Sequence, residues 1–375
     1  MSATSSPWAT VSLQEICNPK QWPTIPQKDF VQEGYPVYGA NGKIGFYTLF
    51  NHEKPTVLIT CRGATCGTIN VCEPKSYVTG NAMALDDLAE KRVSREYLVY
   101  ALRHVGLAKA ITGTAQPQIT RQSLTAVSIP LPSLAEQRLI AATLNKAEAI
   151  WANRQVLITQ LDTLTQAIFL ELFGNPIQNR HGFPVSPLID LVDPQRPITY
   201  GILMPGPDQN EGVKYVRVVD MQEGSVELSG IRKTTEAISN AYRRSVLQRG
   251  DLLMSIRGHV GRFAIVPPEL EGANITQDTA RLAMRAASPI FVRECLRTEA
   301  FQHWMARHTK GVAVRGINLS DVKRMPIILP SRKDQDDFGR RTTAIDNLRA
   351  VYRASLTEMN SLFASLQHRA FRGEL

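Results

Sequence analysis

Hydrophobic and polar positions along this chain alternate between two kinds of pattern. Residues 34–85 mix short β-branched runs with Gly, Pro and Asn, which is typical of strands joined by tight turns. From Pro130 to Phe173, apolar residues instead recur every three or four positions, which predicts a long helix. The same pattern returns between Pro326 and Phe371, with Gly339 in the first turns of the second helix.

The apolar positions of both helices alternate steps of three and four residues. In the first helix they are Ile140, Leu144, Ala147, Trp151, Ile158, Leu161, Ile168 and Leu172, with Arg154 and Thr165 interrupting. In the second they are Ile345, Leu348, Tyr352, Met359, Phe363, Leu366 and Ala370, with Leu356 sharing the stripe. Such spacing over about five heptads indicates coiled-coil packing, so we expect the helices to pair antiparallel. The alternative is two separate helices, each capping its own domain.

The two halves of the chain repeat one another. From Gly113 and Gly311 onward they align without a gap at a spacing of 198 residues. The aligned pairs include Pro132 with Pro330, Gln137 with Gln335, and Phe173 with Phe371. Upstream, the strand–loop–strand segments around Arg62 and Arg257 match at a spacing of 195. The chain is therefore an internal duplication.

The charge and cysteine content narrow the choice of partner and compartment. The 43 Lys and Arg residues exceed the 34 Asp and Glu residues by nine, which favours an anionic partner such as nucleic acid, although solvated lysines on a basic soluble protein give the same excess. Cys61, Cys66 and Cys72 do not have zinc-ligand spacing, and no His pair completes them. The odd cysteine count, the lack of a signal peptide and the lack of an apolar run of about 20 residues predict a cytoplasmic protein with no membrane contact.

Motifs for catalysis are missing from the sequence. There is no G-x-x-x-x-G-K-[ST] and no G-x-G-x-x-G after a strand. Asp208, Glu211 and Lys214 resemble a nuclease cluster only superficially, because the Glu–Lys spacing is three rather than two. We therefore predict no catalytic residue and no metal site.

Short polar and basic side chains next to glycines mark candidate DNA-contacting loops. Arg suits guanine, Asn and Gln suit adenine, and hydroxyl and basic groups suit phosphate. The candidates in the first half are Asn41, Lys43, Arg62, Thr65, Asn81, Thr114, Gln116 and Gln118. Those in the second half are Arg257, His259, Arg262, Asn274, Thr276, Gln277, Arg315 and Asn318. Surface loops of any protein use similar residues, and His259 is equally compatible with an exposed loop position of no function.

Taken together, these motifs resemble the specificity subunit of type I restriction–modification systems over essentially the whole chain. The motifs of the first half are PVYGANGKIGFY, LITCRG, TGTAQPQIT and IPLPSLAEQRLI. Those of the second half are TYGI, VKYVRVVDM, GDLLMSIRGHVGRFAIV, INLSDVKRMPIILPSRKDQ and LQHRAFRGEL. Arg332 and Lys333 depart from the usual apolar–acidic pair, which puts a local contact in doubt.

The resemblance implies an α+β fold with two globular mixed α/β target-recognition domains, at 1–131 and 175–329. Two long spacer helices, at 132–174 and 330–375, would pair as an antiparallel coiled coil with an internal pseudo-twofold repeat. It further implies a non-catalytic subunit that reads a bipartite double-stranded DNA site. Two adenine-N6 methyltransferase subunits and restriction/translocase subunits would dock on it, and S-adenosylmethionine, ATP and Mg would belong to those partners rather than to this chain.

Two other classes of function stay open on the sequence. One is a coiled-coil adaptor that binds only proteins, for which loss of both Arg62 and Arg257 would leave DNA binding of the complex unchanged. The other is a nuclease or nuclease-associated enzyme, for which the purified chain alone would cleave DNA with a metal ion.

The paired helices lead to a test of how the half-sites are spaced. A rod of about 36 residues is roughly 54 Å long, which limits the half-sites to about 16 base pairs apart and favours about 10. Lengthening both helices by one turn, about 5.4 Å, should change the unread gap and preserve both half-sites. Mapping methylated adenines measures this, and altered half-sites would contradict the spacer role.

Overall fold

The computed structural model describes residues 7–40, 42–113, 116–222, 224–311 and 315–375. It divides into two compact units. Unit 1 comprises Met1–Gln155 and Ala354–Leu375, and unit 2 comprises Val156–Arg353. Each unit therefore combines a globular segment with parts of both predicted long helices.

The globular part of unit 1 is built from short strands. The strands are β1 (Thr10–Ser12), β2 (Asn18–Gln21), β3 (Tyr35–Gly39), β4 (Gly42–Tyr47), β5 (Val57–Thr60), β6 (Ile69–Val71), β7 (Tyr77–Val78), β8 (Ala82–Asp86) and β9 (Ser128–Pro130). The helices that begin in this part of the chain are α1 (Leu13–Ile16), α2 (Arg95–Val105) and α3 (Leu134–Phe173). Ser94 caps α2 by accepting a hydrogen bond from the Tyr97 amide, and Gly106 ends it with a φ of 67°.

Unit 2 has more elements. The strands are β10 (Val185–Pro187), β11 (Thr199–Tyr200), β12 (Val213–Val216), β13 (Met221–Gln222), β14 (Ser225–Val226), β15 (Arg232–Thr234), β16 (Leu252–Ser255), β17 (Phe263–Ile265), β18 (Asn274–Ile275), β19 (Thr279–Leu282) and β20 (Pro326–Ile328). The helices are α4 (Glu236–Ala241), α5 (Pro289–Arg297), α6 (Glu299–His308), α7 (Leu319–Lys323) and α8 (Arg332–Ala370). The predicted spacer segments at 132–174 and 330–375 contain α3 and α8.

Both units have the same sheet topology. An antiparallel four-stranded sheet has the order β2-β8-β5-β6 in unit 1 and β11-β19-β16-β17 in unit 2. A three-stranded sheet joins one antiparallel and one parallel neighbour to a central strand, β4-β3-β7 in one unit and β15-β12-β18 in the other. The pairs β1-β9 and β10-β20 close the units, and β13-β14 is an addition to unit 2. The predicted duplication and α+β fold are confirmed.

The end of each long helix completes the core of the other repeat's unit. In unit 1, buried Phe371 at the end of α8 stacks on His104, with ring centroids 4.2 Å apart, and packs near Tyr97. In unit 2, buried Phe173 at the end of α3 packs edge-on against Phe291 at 5.1 Å. Phe173 and Phe371 are partners in the sequence repeat, so the same ring fills the same position in both cores.

Antiparallel pairing of the two helices is visible within unit 2. The ring of Phe169 lies 5.5 Å from that of Phe338, and Asp162 forms an ion pair with Arg349 at 3.4 Å. Moving forward along α3 thus means moving backward along α8. The buried positions differ in part from the predicted stripe, because Thr165, expected to interrupt it, is buried together with Arg349. The helix contact is partly polar.

A buried ionic cluster attaches the end of α3 to α5 in unit 2. Glu294 is completely buried and accepts hydrogen bonds from Arg293 at 2.6 Å, Arg297 at 3.1 Å and Gln166 at 2.7 Å. Arg297 in turn donates to Asp162 on α3 at 2.7 Å. A buried carboxylate is tolerated only when such partners compensate its lost hydration. The cluster therefore fixes the position of α3 against α5 in unit 2.

One long helix meets a simple test for a membrane span. By length and composition alone, α3 is long and apolar enough to cross a membrane. Only 17% of its most apolar window is buried, although α3 contributes Ile140 and Leu144 to the core of unit 1 and Phe169 to the core of unit 2. The cytoplasmic location stays a prediction.

A buried glutamine fixes the first turn of each long helix. Gln137 is completely buried; its carbonyl accepts from the Ser94 amide at 2.8 Å, and its amide donates to the carbonyls of Arg92 at 2.8 Å and Pro132 at 3.0 Å. In unit 2, Gln335 accepts from the Ser288 amide and donates to the Pro330 carbonyl, both at 3.0 Å. We call this arrangement the glutamine lock. The unusual Arg332–Lys333 pair beside Gln335 leaves it intact.

We predict that Gln137→Ala destabilises unit 1 by about 2 kcal/mol, since it leaves buried backbone donors and acceptors without partners. Gln160→Ala, an exposed change of the same kind on α3, should stay within about 0.5 kcal/mol of wild type. Urea unfolding measures both. Equal unfolding midpoints for the two variants would show that the lock contributes nothing.

Candidate nucleic-acid interface

The loops that follow β5 in unit 1 and β16 in unit 2 have the same structure, and they carry several of the candidate DNA-contacting residues. In unit 1, Gln118 forms isolated bridges to Arg62 and Thr112, and in unit 2, Gly316 forms the matching bridges to Arg257 and Lys310. The loops turn at Gly63 and Gly258, whose φ angles of 87° and 70° favour glycine.

The hydrogen bonds that hold these loops repeat almost atom for atom. The Ile119 amide donates to the Cys61 carbonyl at 2.9 Å, and the Ile317 amide donates to the Ile256 carbonyl at 2.9 Å. We call this shared backbone arrangement the loop frame. It places Arg62 and Arg257 at equivalent positions, both exposed to solvent.

In unit 2 the frame brings several predicted residues into one cleft. A guanidinium nitrogen of Arg257 donates to Oε1 of Gln277 at 3.1 Å. Both residues line a cleft of about 840 Å³ together with Asn318, Tyr200 and Lys310. The cleft thus offers amide, guanidinium, ammonium and aromatic groups, a set that can contact base edges, phosphates and base faces.

A second cleft opens on the other side of the same loop. It measures about 590 Å³ and is lined by His259, Arg315 and Gln302 among others, sharing Gly311 with the first cleft. The Gly258 amide donates to the Arg315 carbonyl at 2.9 Å, which ties the two segments together. Arg257, His259 and Arg315 thereby belong to one surface, with basic groups on both sides of the loop.

Three other candidates in unit 2 lie apart from these clefts. Arg262 is exposed and lines a separate cleft with Gln222 and Arg297. Thr276 is half-buried and bridges Ile202 through its backbone. Asn274 is a correction: its side chain is 0% exposed and bonds to Ser239, Ser245 and the Tyr242 carbonyl, so it supports the fold and does not form part of the surface.

Unit 1 presents a smaller set of contacts at its loop frame. Arg62, Gln116 and Gln118 are exposed there. Thr65 donates to the Ala40 carbonyl at 3.2 Å, and the half-buried Asn81 accepts from the Cys61 amide through its backbone carbonyl at 3.1 Å.

Lys43 in unit 1 has protein partners of its own. It forms an ion pair with Glu73 at 3.2 Å and lies 4.7 Å from the centre of the Phe46 ring. Contact with a phosphate would therefore compete with an existing carboxylate. Asn41 and Thr114 lie outside the described residues.

The thiol next to Arg62 is held in its neutral form. Cys61 is buried, and burial raises the pKa of its thiol to about 11. Burial raises the pKa of Cys17 to about 12, with Asp86 as a secondary cause. Since the thiolate is the reactive form, these cysteines act as apolar core residues at neutral pH.

Comparison with known proteins supports the predicted family. Residues 5–161 match the family model described as the type I restriction modification DNA specificity domain. The specificity subunit of the type I restriction enzyme EcoBI from Escherichia coli is 27% identical over 378 residues, covering 92% of this chain and 76% of the relative. The predicted resemblance to type I restriction–modification specificity subunits is confirmed.

Solved structures show that the fold agrees as well. The type I restriction–modification S subunit from M. genitalium superposes with a TM-score of 0.66 at 16% identity, covering 99% of this chain and 98% of that one. A chain from a structure that describes complex assembly and conformational transition of the type I R-M system superposes with a TM-score of 0.53 at 16% identity. The superposition covers 99% of this chain and 100% of that one. These two likenesses show that the chain shares the fold of type I S subunits.

Two residues of the unit 2 cleft were missed by sequence reasoning. Tyr200 and Lys310 are both exposed and line the cleft with Arg257. Lys310 pairs in the 198-residue repeat with Thr112, which is not a candidate, but it is a basic residue directly before Gly311, and that signal could have found it. Tyr200 lies in the family motif TYGI, but its distance in sequence from Arg257 concealed their proximity.

We predict that Arg257→Ala in the assembled complex weakens cognate DNA binding about 5- to 150-fold, the range of about 1–3 kcal/mol for a base-contacting arginine. Arg285→Ala is the matched control. Arg285 is also exposed, but it lies after the end of β19, whereas Gln277 lies before its start. It should change affinity less than about threefold. Fluorescence anisotropy measures both, and an equal loss would reduce the role of Arg257 to net charge.

Proposed function

We propose that this chain reads a bipartite double-stranded DNA site, with each unit reading one half-site. The observation that supports this most directly is the repeated loop frame with different side chains on it. Gln118 in unit 1 is matched by Gly316 in unit 2, and Thr112 by Lys310. A shared backbone arrangement with unlike side chains is suited to two different sequences, because base choice depends on side-chain hydrogen bonds.

The chain supplies recognition, and partner subunits supply the chemistry. Support comes from the similar E. coli protein, which is named as the specificity subunit of a type I restriction enzyme. In this proposal two adenine-N6 methyltransferase subunits bring S-adenosylmethionine, and restriction/translocase subunits bring ATP and Mg. The adenines are flipped out of the duplex by the methyltransferases, because a stacked base is out of reach of methylation.

The long helices provide docking surface for those partners. Large apolar side chains of α3 remain exposed in the chain alone, and they include Leu139, Ile150, Val156, Leu157, Leu164 and Leu170. Burying a side chain of this size contributes about 1.5–3 kcal/mol. Apolar positions on a helix of a soluble subunit are therefore suited to an assembled complex.

The proposal is tested by mapping methylated adenines in cells that contain the complex. We predict two short defined half-sites separated by a fixed number of unread bases. Exchanging residues 1–130 for the matching segment of a relative should change one half-site and leave the other intact, since this exchange replaces the loop frame of unit 1 alone. A contiguous motif without a gap, or a change in both half-sites, would contradict two-unit reading.

A further inference from the structure

Residues 201–206, which follow β11 in unit 2, present two apolar side chains to solvent. Met204 is 82% exposed, more than any other large apolar side chain that the structure describes, and Leu203 beside it is 48% exposed. Tyr200, just before them, is 45% exposed. Exposing this much apolar surface is unfavourable, because burial would remove it from water.

The backbone around these side chains is held firmly. The amide of the buried Ile202 donates to the Ile275 carbonyl at 2.7 Å, and the Thr234 hydroxyl donates to the Pro205 carbonyl at 2.7 Å. A Cβ on Gly201 would lie 1.8 Å from the Ile275 carbonyl oxygen, so only glycine fits there. Leu203 and Met204 are therefore exposed by a fixed backbone rather than by a slack loop.

This segment borders the predicted reading cleft. The carbonyl of Ile202 accepts from the Gln277 amide at 2.8 Å, and the Gln277 side chain bonds to Arg257. Tyr200 lines the same cleft as Arg257 and Lys310. Cationic groups that suit phosphates thus lie next to apolar groups, for which the matching part of a nucleic acid is the face of a base or a thymine methyl group.

The equivalent segment of unit 1 lacks this feature. The strand pair β2–β8 of unit 1 is equivalent to the pair β11–β19 of unit 2. In unit 1, Lys20 pairs with Ala84 and Gln21 with Met83; the matching pairs in unit 2 are Thr199 with Arg281 and Tyr200 with Ala280. Continuing this register along the chain pairs Thr24 with Leu203 and Ile25 with Met204. Thr24 is polar and Ile25 is buried, so at this position of the fold unit 2 presents an exposed apolar pair and unit 1 does not.

We propose that Leu203 and Met204 act as an apolar wedge that unstacks one base step in the half-site read by unit 2. The proposal rests on two-unit reading of DNA and adds the source of an asymmetry between the half-sites. Inserting apolar side chains between base pairs costs a few kcal/mol of stacking per step, which is offset when the deformed DNA meets more protein surface. Steps that unstack easily, such as TA and CA/TG, would then be favoured at that position without a hydrogen bond to them.

The test uses the complex with its methyltransferase partners and cognate DNA carrying 2-aminopurine at each adenine position except the methylated ones. Wild type should raise the fluorescence several-fold at one step of the unit 2 half-site, which is the half-site retained when residues 1–130 are exchanged. The double variant Leu203→Ala/Met204→Ala should lose this rise and bind about tenfold more weakly. Met204→Phe should keep the rise, because a phenyl ring also fills an opened step.

Val185→Ala is the matched control, an exposed apolar position in β10 of the same unit, and it should leave the signal unchanged. A rise that persists in the double alanine variant would overturn the wedge. So would the lack of any rise in wild type while a gapped site is still methylated. Methylation of an ungapped site would instead overturn the proposed function, so the two failures are distinct.

Discussion

The buried glutamine amide at the start of each long helix is the constraint on which the rest of the structure depends. Gln137 and Gln335 each tie the first turn of a long helix to the capped start of a shorter helix in the same unit. Because buried backbone groups without partners cost about 1–3 kcal/mol each, the helix cannot leave this position cheaply. The closing strand, β9 or β20, leads into the locked turn, and a short helical segment separates this strand from the loop frame. The loop frame and the long helix are thereby connected through one short stretch of chain within each unit.

Duplication gives the two units one backbone design with different surface side chains. The loop frame, the sheet order and the aromatic ring at the end of each helix recur in both units, and these are backbone and core features. The residues that differ, such as Thr112 against Lys310 or Thr24 against Leu203, are on the surface, where substitution costs little stability. The fold is thus preserved while surface side chains diverge, and unit 1 has Thr24 and the buried Ile25 at the positions of Leu203 and Met204.

The failures of sequence reasoning have particular physical causes. Asn274 has the composition expected of a DNA contact, but its neighbours in space, Ser239 and Ser245, enclose it and satisfy its amide. Thr165 interrupts the apolar stripe in the sequence, yet it is buried with Arg349, because the contact between the helices uses polar groups as well as apolar ones. The apolar composition of α3 satisfies the length and composition test for a membrane span, because exposed apolar side chains such as Leu157 and Leu164 add to those that enter the two cores.

The sequence by itself determined the duplication, the two long helices, the α+β character and the resemblance to type I specificity subunits, because these are encoded in periodicity, spacing and local motifs. It also located Arg62 and Arg257, since the repeat aligned their loops. Only the tertiary structure decided which candidates share a surface. One cleft is lined by Arg257, Gln277, Asn318, Tyr200 and Lys310, whereas Asn274 is buried in the interior. Those groupings depend on strand pairing between distant segments, and burial is a property of the packed neighbours rather than of the residue's own chemistry.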